Sequence, residues 1–183
     1  MTILHIDSSI NGDNSASREV SGSIVKQLKG ALWGEEVVYR DLAANPLPHL
    51  TLEAFADTST LDEFMAADTI VIGAPMYNFT LSTQLKSWID RLMVAGKTFR
   101  YTENGPEGLA GGRRVIIAIA RGGVYSADAP AAALEHLETY LRGVFNFMGI
   151  EPEFVIAEGL NLSLDHRVAA IEQAIGETFR LAA

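Results

Sequence analysis

Thr69-Ile70-Val71-Ile72-Gly73-Ala74-Pro75-Met76-Tyr77-Asn78-Phe79 changes character at its middle. The first six positions carry no polar alternation, as a strand buried on both faces requires. Pro75 halts the strand, and Met76, Tyr77 and Phe79 crowd around the single amide Asn78. A helix-spaced stripe follows in Leu81, Leu85, Trp88, Ile89 and Leu92, ending near Gly96. A buried strand feeding an amphipathic helix through an aromatic loop is the repeating unit of a parallel sheet.

The same alternation extends in both directions. Thr2 to Asp7 reads as a strand entering the loop Ser8-Ser9-Ile10-Asn11-Gly12, and Val20, Ile24, Val25 and Leu28 keep helical spacing from Ser17 to Gly30. Val37 to Tyr39 predicts a second strand and Leu61 to Ala66 a short helix. Asn104-Gly105-Pro106 marks a turn inside Thr98 to Leu109, a hairpin or excursion. Val115 to Ala120 repeats the buried-strand pattern. Asp128 beside Pro130 reads as the start of a long helix from about Ala129 to Met148, and Glu153 to Glu158 and Leu164 to Leu181 give the last strand and helix. The whole of 1–183 is thus expected to be one α/β domain, a doubly wound five-stranded parallel sheet with helices on both faces. Such sheets bind ligands where the strands' carboxyl ends meet a topological switch point, here the loops after Asp7, Ala74 and Ala120.

Composition narrows the function classes. With 183 residues, 48% of them hydrophobic, the chain can build one sizeable core. Fourteen Lys+Arg against 23 Asp+Glu give −9, which argues against a nucleic-acid or anionic-membrane binder. Without cysteine there is no disulfide, thiolate nucleophile or Cys-ligated metal, and His5, His49, His136 and His166 lack metal-ligand spacing, so no metal is expected. No basic, apolar leader opens the chain and no apolar run reaches membrane-spanning length, which fits a soluble, cytoplasmic protein.

Three loops carry the candidate chemistry. The first, Ser8 to Arg18, joins a strand to a helix, and its serines and free N–H groups suit a phosphate as well as an ordinary helix cap. It has neither the P-loop nor the G-x-G-x-x-G pattern, which excludes a P-loop nucleoside triphosphatase. The second, Gly73 to Thr80, makes an aromatic slot suited to a flat heteroaromatic ring or to packing on a neighbour. The third, Ala120-Arg121-Gly122-Gly123-Val124-Tyr125, adds paired glycines, a positive charge and another aromatic wall. Together they match one ligand with a phosphate at one end and a planar ring at the other, the shape of flavin mononucleotide (FMN).

Those residues carry a resemblance. G-A-P-M-Y-N-F at 73–79, Q-L-K-S-W-I-D-R at 84–91, F-R-Y-T-E-N-G-P-E-G-L at 99–109, R-G-G at 121–123 and A-E-G-L at 157–160 are similar to the FMN-dependent NADH azoreductase/quinone reductase family, which has the flavodoxin-like fold. The resemblance implies a homodimer with one FMN per subunit at the interface, and ping-pong transfer from NADH or NADPH through the flavin to a quinone or azo compound. It implies phosphate contacts from Ser9, Ser15, Ala16 (through its backbone) and Ser17. The ring would lie against Pro75, Met76, Tyr77, Asn78 and Phe79, with Arg121, Gly122 and Gly123 on its pyrimidine side and Ala120 and Tyr125 also binding the cofactor. No catalytic side chain is expected, because the flavin carries the chemistry. Ala120 stands where many relatives have Ser, Tyr125 where His is frequent, and the connection from Asp41 to Asp68 is shorter than usual.

Charge is unevenly spread. Lys86, Arg91, Lys97, Arg100, Arg113, Arg114 and Arg121 face only Asp90, Glu103 and Glu107 over that stretch. It reads either as solvated surface or as a patch, including Lys97 and Arg100, that draws anionic cofactors. A receiver domain is excluded because the third strand ends in Gly73-Ala74-Pro75 rather than in a phosphorylatable Asp. A flavodoxin-like FMN electron carrier without rapid NADH oxidation is the alternative. Trp33 and Trp88 read as packing residues, while Phe145 or Phe147 is placed to reach a partner's flavin.

Overall fold

The computed structural model describes residues 1–31 and 35–181, so the expectation for Trp33 falls outside the described residues. Five strands, β1 (Thr2–Asp7), β2 (Glu36–Asp41), β3 (Thr69–Pro75), β6 (Arg114–Ala120) and β7 (Glu153–Ala157), form one all-parallel sheet in the order β2-β1-β3-β6-β7. The central strands divide their side chains by parity. Leu4, Ile6, Ile70, Ile72, Val115, Ile117 and Ile119 pack with Phe64, Trp88, Leu141 and Phe145 beneath α3 (Ser59–Ala66), α4 (Thr83–Leu92) and α5 (Glu138–Phe147). Ile3, Val71, Ile116, Ala118 and Val155 face the other way, against α1 (Ala16–Ala31) and α6 (Leu164–Leu181). Both faces are covered, which is why the strands read as unbroken apolar runs. Each fully buried Ile, Leu or Phe contributes about 1.5–3 kcal/mol of transfer free energy.

The excursion is the antiparallel pair β4 (Phe99–Thr102) and β5 (Gly105–Gly108). It is tied to the main body where Ala110 N–H donates to the Met148 carbonyl (3.0 Å). An additional short helix, α2 (Leu52–Ala56), lies in the connection between β2 and α3. It has no buried residue, and so left no apolar stripe to read.

The long helix expected from Ala129 to Met148 is a shorter one. Only a single 3₁₀ turn, Ala132–Leu134, precedes α5 at Glu138. The break has a chemical cause: the Glu135 carboxylate accepts from the backbone N–H of Leu137, Glu138 and Thr139 at 2.7–3.0 Å, capping α5. A side chain that satisfies these otherwise free donors begins a helix there. Phe145 is fully buried in the core, so it does not reach outward, while Phe147 packs on Phe99 with ring centroids 4.8 Å apart. Trp88 is buried edge-on to Phe64, as its packing role required.

Buried His5, Asp7 and Ser21, joined by half-exposed Tyr39, brace β1 where it enters the first loop. Ser21 Oγ donates to Asp7 (2.8 Å), Tyr39 donates to the same carboxylate (3.2 Å), and His5 Nε2 lies 3.0 Å from Ser21 Oγ. Burial, reinforced by the Asp7 charge, pushes the Tyr39 phenol up to about 12. Gly73 pairs with Asp7 across the sheet, and a Cβ there would collide with the Asp7 carboxylate. Gly73→Ala is therefore expected to cost about 1–3 kcal/mol through overpacking, read as a lower denaturation midpoint at unchanged slope.

Candidate functional site

All three loops singled out in the sequence leave the same edge of the sheet. Ala120 lies opposite Pro75 on one side and Ala157 on the other, and Met76 N–H donates to the Ala120 carbonyl at 2.8 Å. They enclose a cleft of about 210 Å³ lined by Ser9, Asn11, Asn14, Ser15, Ala16, Pro75, Met76, Tyr77, Ala120, Gly122, Leu160, Asn161 and Arg167. Among the described residues no carboxylate lines it.

Its polar end is built on the start of α1. Ser15 precedes the helix, its carbonyl accepts from Glu19 N–H (3.1 Å), and its hydroxyl lies 3.1 Å from that of Ser17. The N–H groups of Ala16 and Ser17, in the first turn, have no acceptor within the helix. Arg18 braces this loop from behind, with a two-pronged bond to Asp41 (2.7 and 2.8 Å) and a third bond to the Ser9 carbonyl (2.8 Å). The Arg18 bond holds the Asp41 carboxyl below the usual carboxylate range, helped by the Ala44 and Ala43 N–H groups. The Tyr77 hydroxyl joins this end to the second loop, 3.1 Å from Ser9 Oγ and accepting from Ile10 N–H at 3.1 Å.

The second loop is strained where the ring is expected. Asn78 and Phe79 both take positive φ, 47° and 73°. Asn tolerates this region, whereas a bulky residue there costs on the order of 1–3 kcal/mol and persists only if its surroundings enforce it. Here Tyr77 and Thr80 exchange backbone bonds, and His136 N–H donates to the Phe79 carbonyl (3.1 Å). In the third loop the carbonyls of Arg121, Gly122 and Gly123 accept from Leu160, Asn161 and Gly159. The Gly122 and Gly123 N–H groups are not used in that zipper. A Cβ on Gly122 would strike the Asn161 side chain, so the glycine permits this close approach.

Arg121 is placed differently from a charge presented to a ring. Its side chain is 2% exposed and sits among Glu138 (2.8 Å), Glu135 (3.4 Å) and Glu158 (3.5 Å). Tyr125 N–H donates to Glu158 (2.9 Å), and the Tyr125 ring meets Phe79 edge-on at 6.3 Å. Burial favours a neutral Glu135, but the Glu138 and Thr139 N–H groups, the Thr139 hydroxyl and the Arg121 charge prevail and lower its pKa. Arg121 thus links the third loop to the α5 cap and, through Glu135 and His136, to strained Phe79.

The basic stretch is also dispersed. Lys86 pairs with Asp90, Arg100 with Glu107 and Arg114 with Glu153, while Arg91 and Arg113 donate to backbone carbonyls. Most of that charge is spent on structure, which leaves little of the attracting patch that the sequence permitted. Asn161 and Arg167 escaped the sequence reading because they lie after the last strand, far along the chain from the serines they approach. Among the described residues no cluster of three metal-ligating side chains occurs, and no helix is long and apolar enough to cross a membrane.

A doubly wound sheet with a donor-rich, carboxylate-free cleft at its switch point defines a flavodoxin-like protein. The chain belongs to the family described as flavodoxin-like fold, which it matches over residues 1–180. A relative from Bradyrhizobium diazoefficiens, named FMN-dependent NADH:quinone oxidoreductase 2, is 53% identical over 193 aligned positions covering 96% of each chain. One from Sinorhizobium fredii, named FMN-dependent NADH:quinone oxidoreductase, is 53% identical over 206 positions and all of both chains. Among solved structures, an azoreductase from Bacillus anthracis superposes with a TM-score of 0.91 at 29% identity, covering 100% of this chain and 98% of that one. An FMN-dependent NADH-azoreductase from the same species, solved in complex with FMN, gives 0.85 at 25% identity with both chains fully covered.

Arg121→Met leaves three carboxylates facing one another, an expected loss of about 3–5 kcal/mol near neutrality. Glu135 has a depressed folded pKa, so its share of wild-type stability is present above the ordinary carboxylate range and lost as pH falls through the folded value. The gap between wild type and variant should therefore narrow as pH falls below the ordinary carboxylate range, checked by urea denaturation across pH.

Proposed function

We propose that this chain is an FMN-dependent NADH:quinone oxidoreductase that also accepts azo compounds, and that it works as a homodimer. The observation that carries the reading is the cleft, whose hydroxyl and N–H donors at one end and apolar walls at the other match a phosphorylated flavin in chemistry. The names of the two relatives, at 53% identity over nearly the whole chain, support the same cofactor and reaction. When bound, FMN would supply two-electron chemistry between NADH and the acceptor, in ping-pong order.

The chain's own residues bind and orient. Ser9, Ser15 and Ser17, with the N–H groups of Ala16 and Ser17, hold the phosphate. Pro75, Met76 and Tyr77, continued by Asn78 and Phe79, would form one wall for the ring, and Ala120 and Gly122, continued by Gly123 and Tyr125, the other. The Gly122 and Gly123 N–H groups would face the ring's pyrimidine side, where donors stabilise negative charge. Arg121 supports that wall through Glu135 and α5. No side chain is assigned as acid or base. With Ala120 in place of a hydroxyl, a hydrogen bond worth about 0.5–1.5 kcal/mol is absent from the ring's edge.

The homodimer is supported by exposed apolar side chains beside the cleft: Phe79 (42% exposed), Val124 (36%) and Leu134 (44%). A second copy covering them would also exclude water from the ring. A cytoplasmic location suits an enzyme supplied with NADH.

FMN added to the purified chain should bind saturably. Anaerobic NADH should then bleach the flavin absorbance, and a quinone should restore it. Initial rates at varied NADH and quinone should give parallel double-reciprocal lines, and sedimentation should give the mass of a dimer. Flavin binding without bleaching by NADH would instead favour an electron carrier.

A further inference from the structure

The negative charge of the proposed phosphate has no evident counter-charge on the first loop. Serine hydroxyls and helix N–H groups are neutral donors. Arg18, the loop's own cation, is turned to Asp41 and the Ser9 carbonyl, and Arg121 is buried among three glutamates. The chain as a whole carries −9, so a dianion entering this cleft meets an unfavourable background field.

We infer that Arg167 is the phosphate-pairing residue of this cleft, supplied by α6 rather than by the serine loop; the inference rests on the cofactor reading above. Among the described residues Arg167 is the one charged residue that lines the cleft, where it stands with Ser9, Ser15 and Ala16. Its Nη2 donates to the Asn14 carbonyl at 2.8 Å, which brings the guanidinium beside the residue that precedes Ser15. No carboxylate lies within ion-pair distance of it among the described residues, in contrast to Arg18, Arg100, Arg114, Arg121 and Arg142.

Its position follows from local structure. Ser163 Oγ accepts from His166 N–H (3.1 Å) and the Ser163 carbonyl accepts from Arg167 N–H (3.0 Å), so Arg167 is held in the first turn of α6. The Gly159-to-Asn161 zipper fixes that turn against the third loop. Asp13 and Glu19 line a neighbouring hollow on the other side of Arg167, together with Asn11 and Asn14. They keep the surrounding field from being uniformly positive, so the arginine acts as a point of recognition and not as part of a basic surface. A guanidinium has five donors in a fork, so the bond to Asn14 leaves others for phosphate oxygens.

Riboflavin is FMN without the phosphate, and the pair isolates this interaction. Dissociation constants for both, read from flavin fluorescence, are compared in wild type, Arg167→Gln and Arg167→Lys. Gln keeps an N–H donor for Asn14 but removes the charge, whereas Lys keeps the charge. Arg167→Gln should weaken FMN about tenfold, the loss of one charge-assisted bond, and leave riboflavin within about twofold. Arg167→Lys should recover most of the FMN affinity, and the salt dependence of FMN binding should flatten only in the Gln variant. Equal weakening of both flavins, or Gln and Lys variants that behave alike, would make Arg167 a brace for the loop and overturn the assignment. Wild type that binds FMN while Arg167→Gln binds it equally well would overturn the assignment alone. Wild type that binds no flavin would overturn the cofactor reading and this assignment with it.

Discussion

The parallel pairing of β1, β3 and β6, buried on both faces, is the constraint on which the rest depends. Parallel strands all end at one edge, so the segments after Asp7, Pro75 and Ala120 have to meet there. The chain turns into a helix or tight loop at each exit, which leaves backbone donors without strand partners. A site of hydrogen-bond donors is thus a consequence of the topology, and the side chains decide what it accepts. Serines take one end, Met76, Tyr77 and Phe79 the other, and the Tyr77 hydroxyl spans the two by bonding to Ser9 and Ile10.

Electrostatics then sorts the cations into two uses. Most are consumed by structure: Arg18 fixes the first loop to β2, Arg114 joins β6 to β7 through Glu153, and Arg121 gathers Glu135, Glu138 and Glu158. A buried cluster such as that of Arg121 returns little net stability against replacement by apolar side chains, but breaking it strands uncompensated charge. Its contribution is geometric. Arg121 holds Glu135, Glu135 starts α5, and His136 beside it pins the carbonyl of strained Phe79. An arginine that looked like a ligand contact therefore shapes the loop after β3, beside the cleft. Strain at Asn78 and Phe79 is maintained by this relay together with the Tyr77–Thr80 bridge.

The strands and most helices were legible because their signals are local. Unbroken apolar runs such as Thr69 to Ala74, and the stripe from Leu81 to Leu92, depend only on which faces are covered. The break before α5 was not legible, because a glutamate at 135 reads as one more helix-former until its carboxylate is seen capping three N–H groups. The short helix at Leu52–Ala56 buries nothing and so had no pattern to give. In the site, the serines and the aromatic loop stood out by composition. Asn161 and Arg167 did not, since only the fold brings the end of β7 to the start of α1. The fate of Arg121 and of the basic stretch was equally hidden: charge counts along a chain do not say which carboxylates arrive from other elements.

One phosphorylated flavin spanning all three loops would engage donors on each of them. Amide hydrogen exchange of the chain with and without saturating FMN tests this most directly, because unpaired donors in loops exchange quickly until a ligand engages them. Segments 8–18, 75–80 and 120–125 should gain protection together, with 159–167 following because it is zipped to the third loop. Protection confined to one loop, or an exchange pattern unchanged by FMN, would contradict that arrangement.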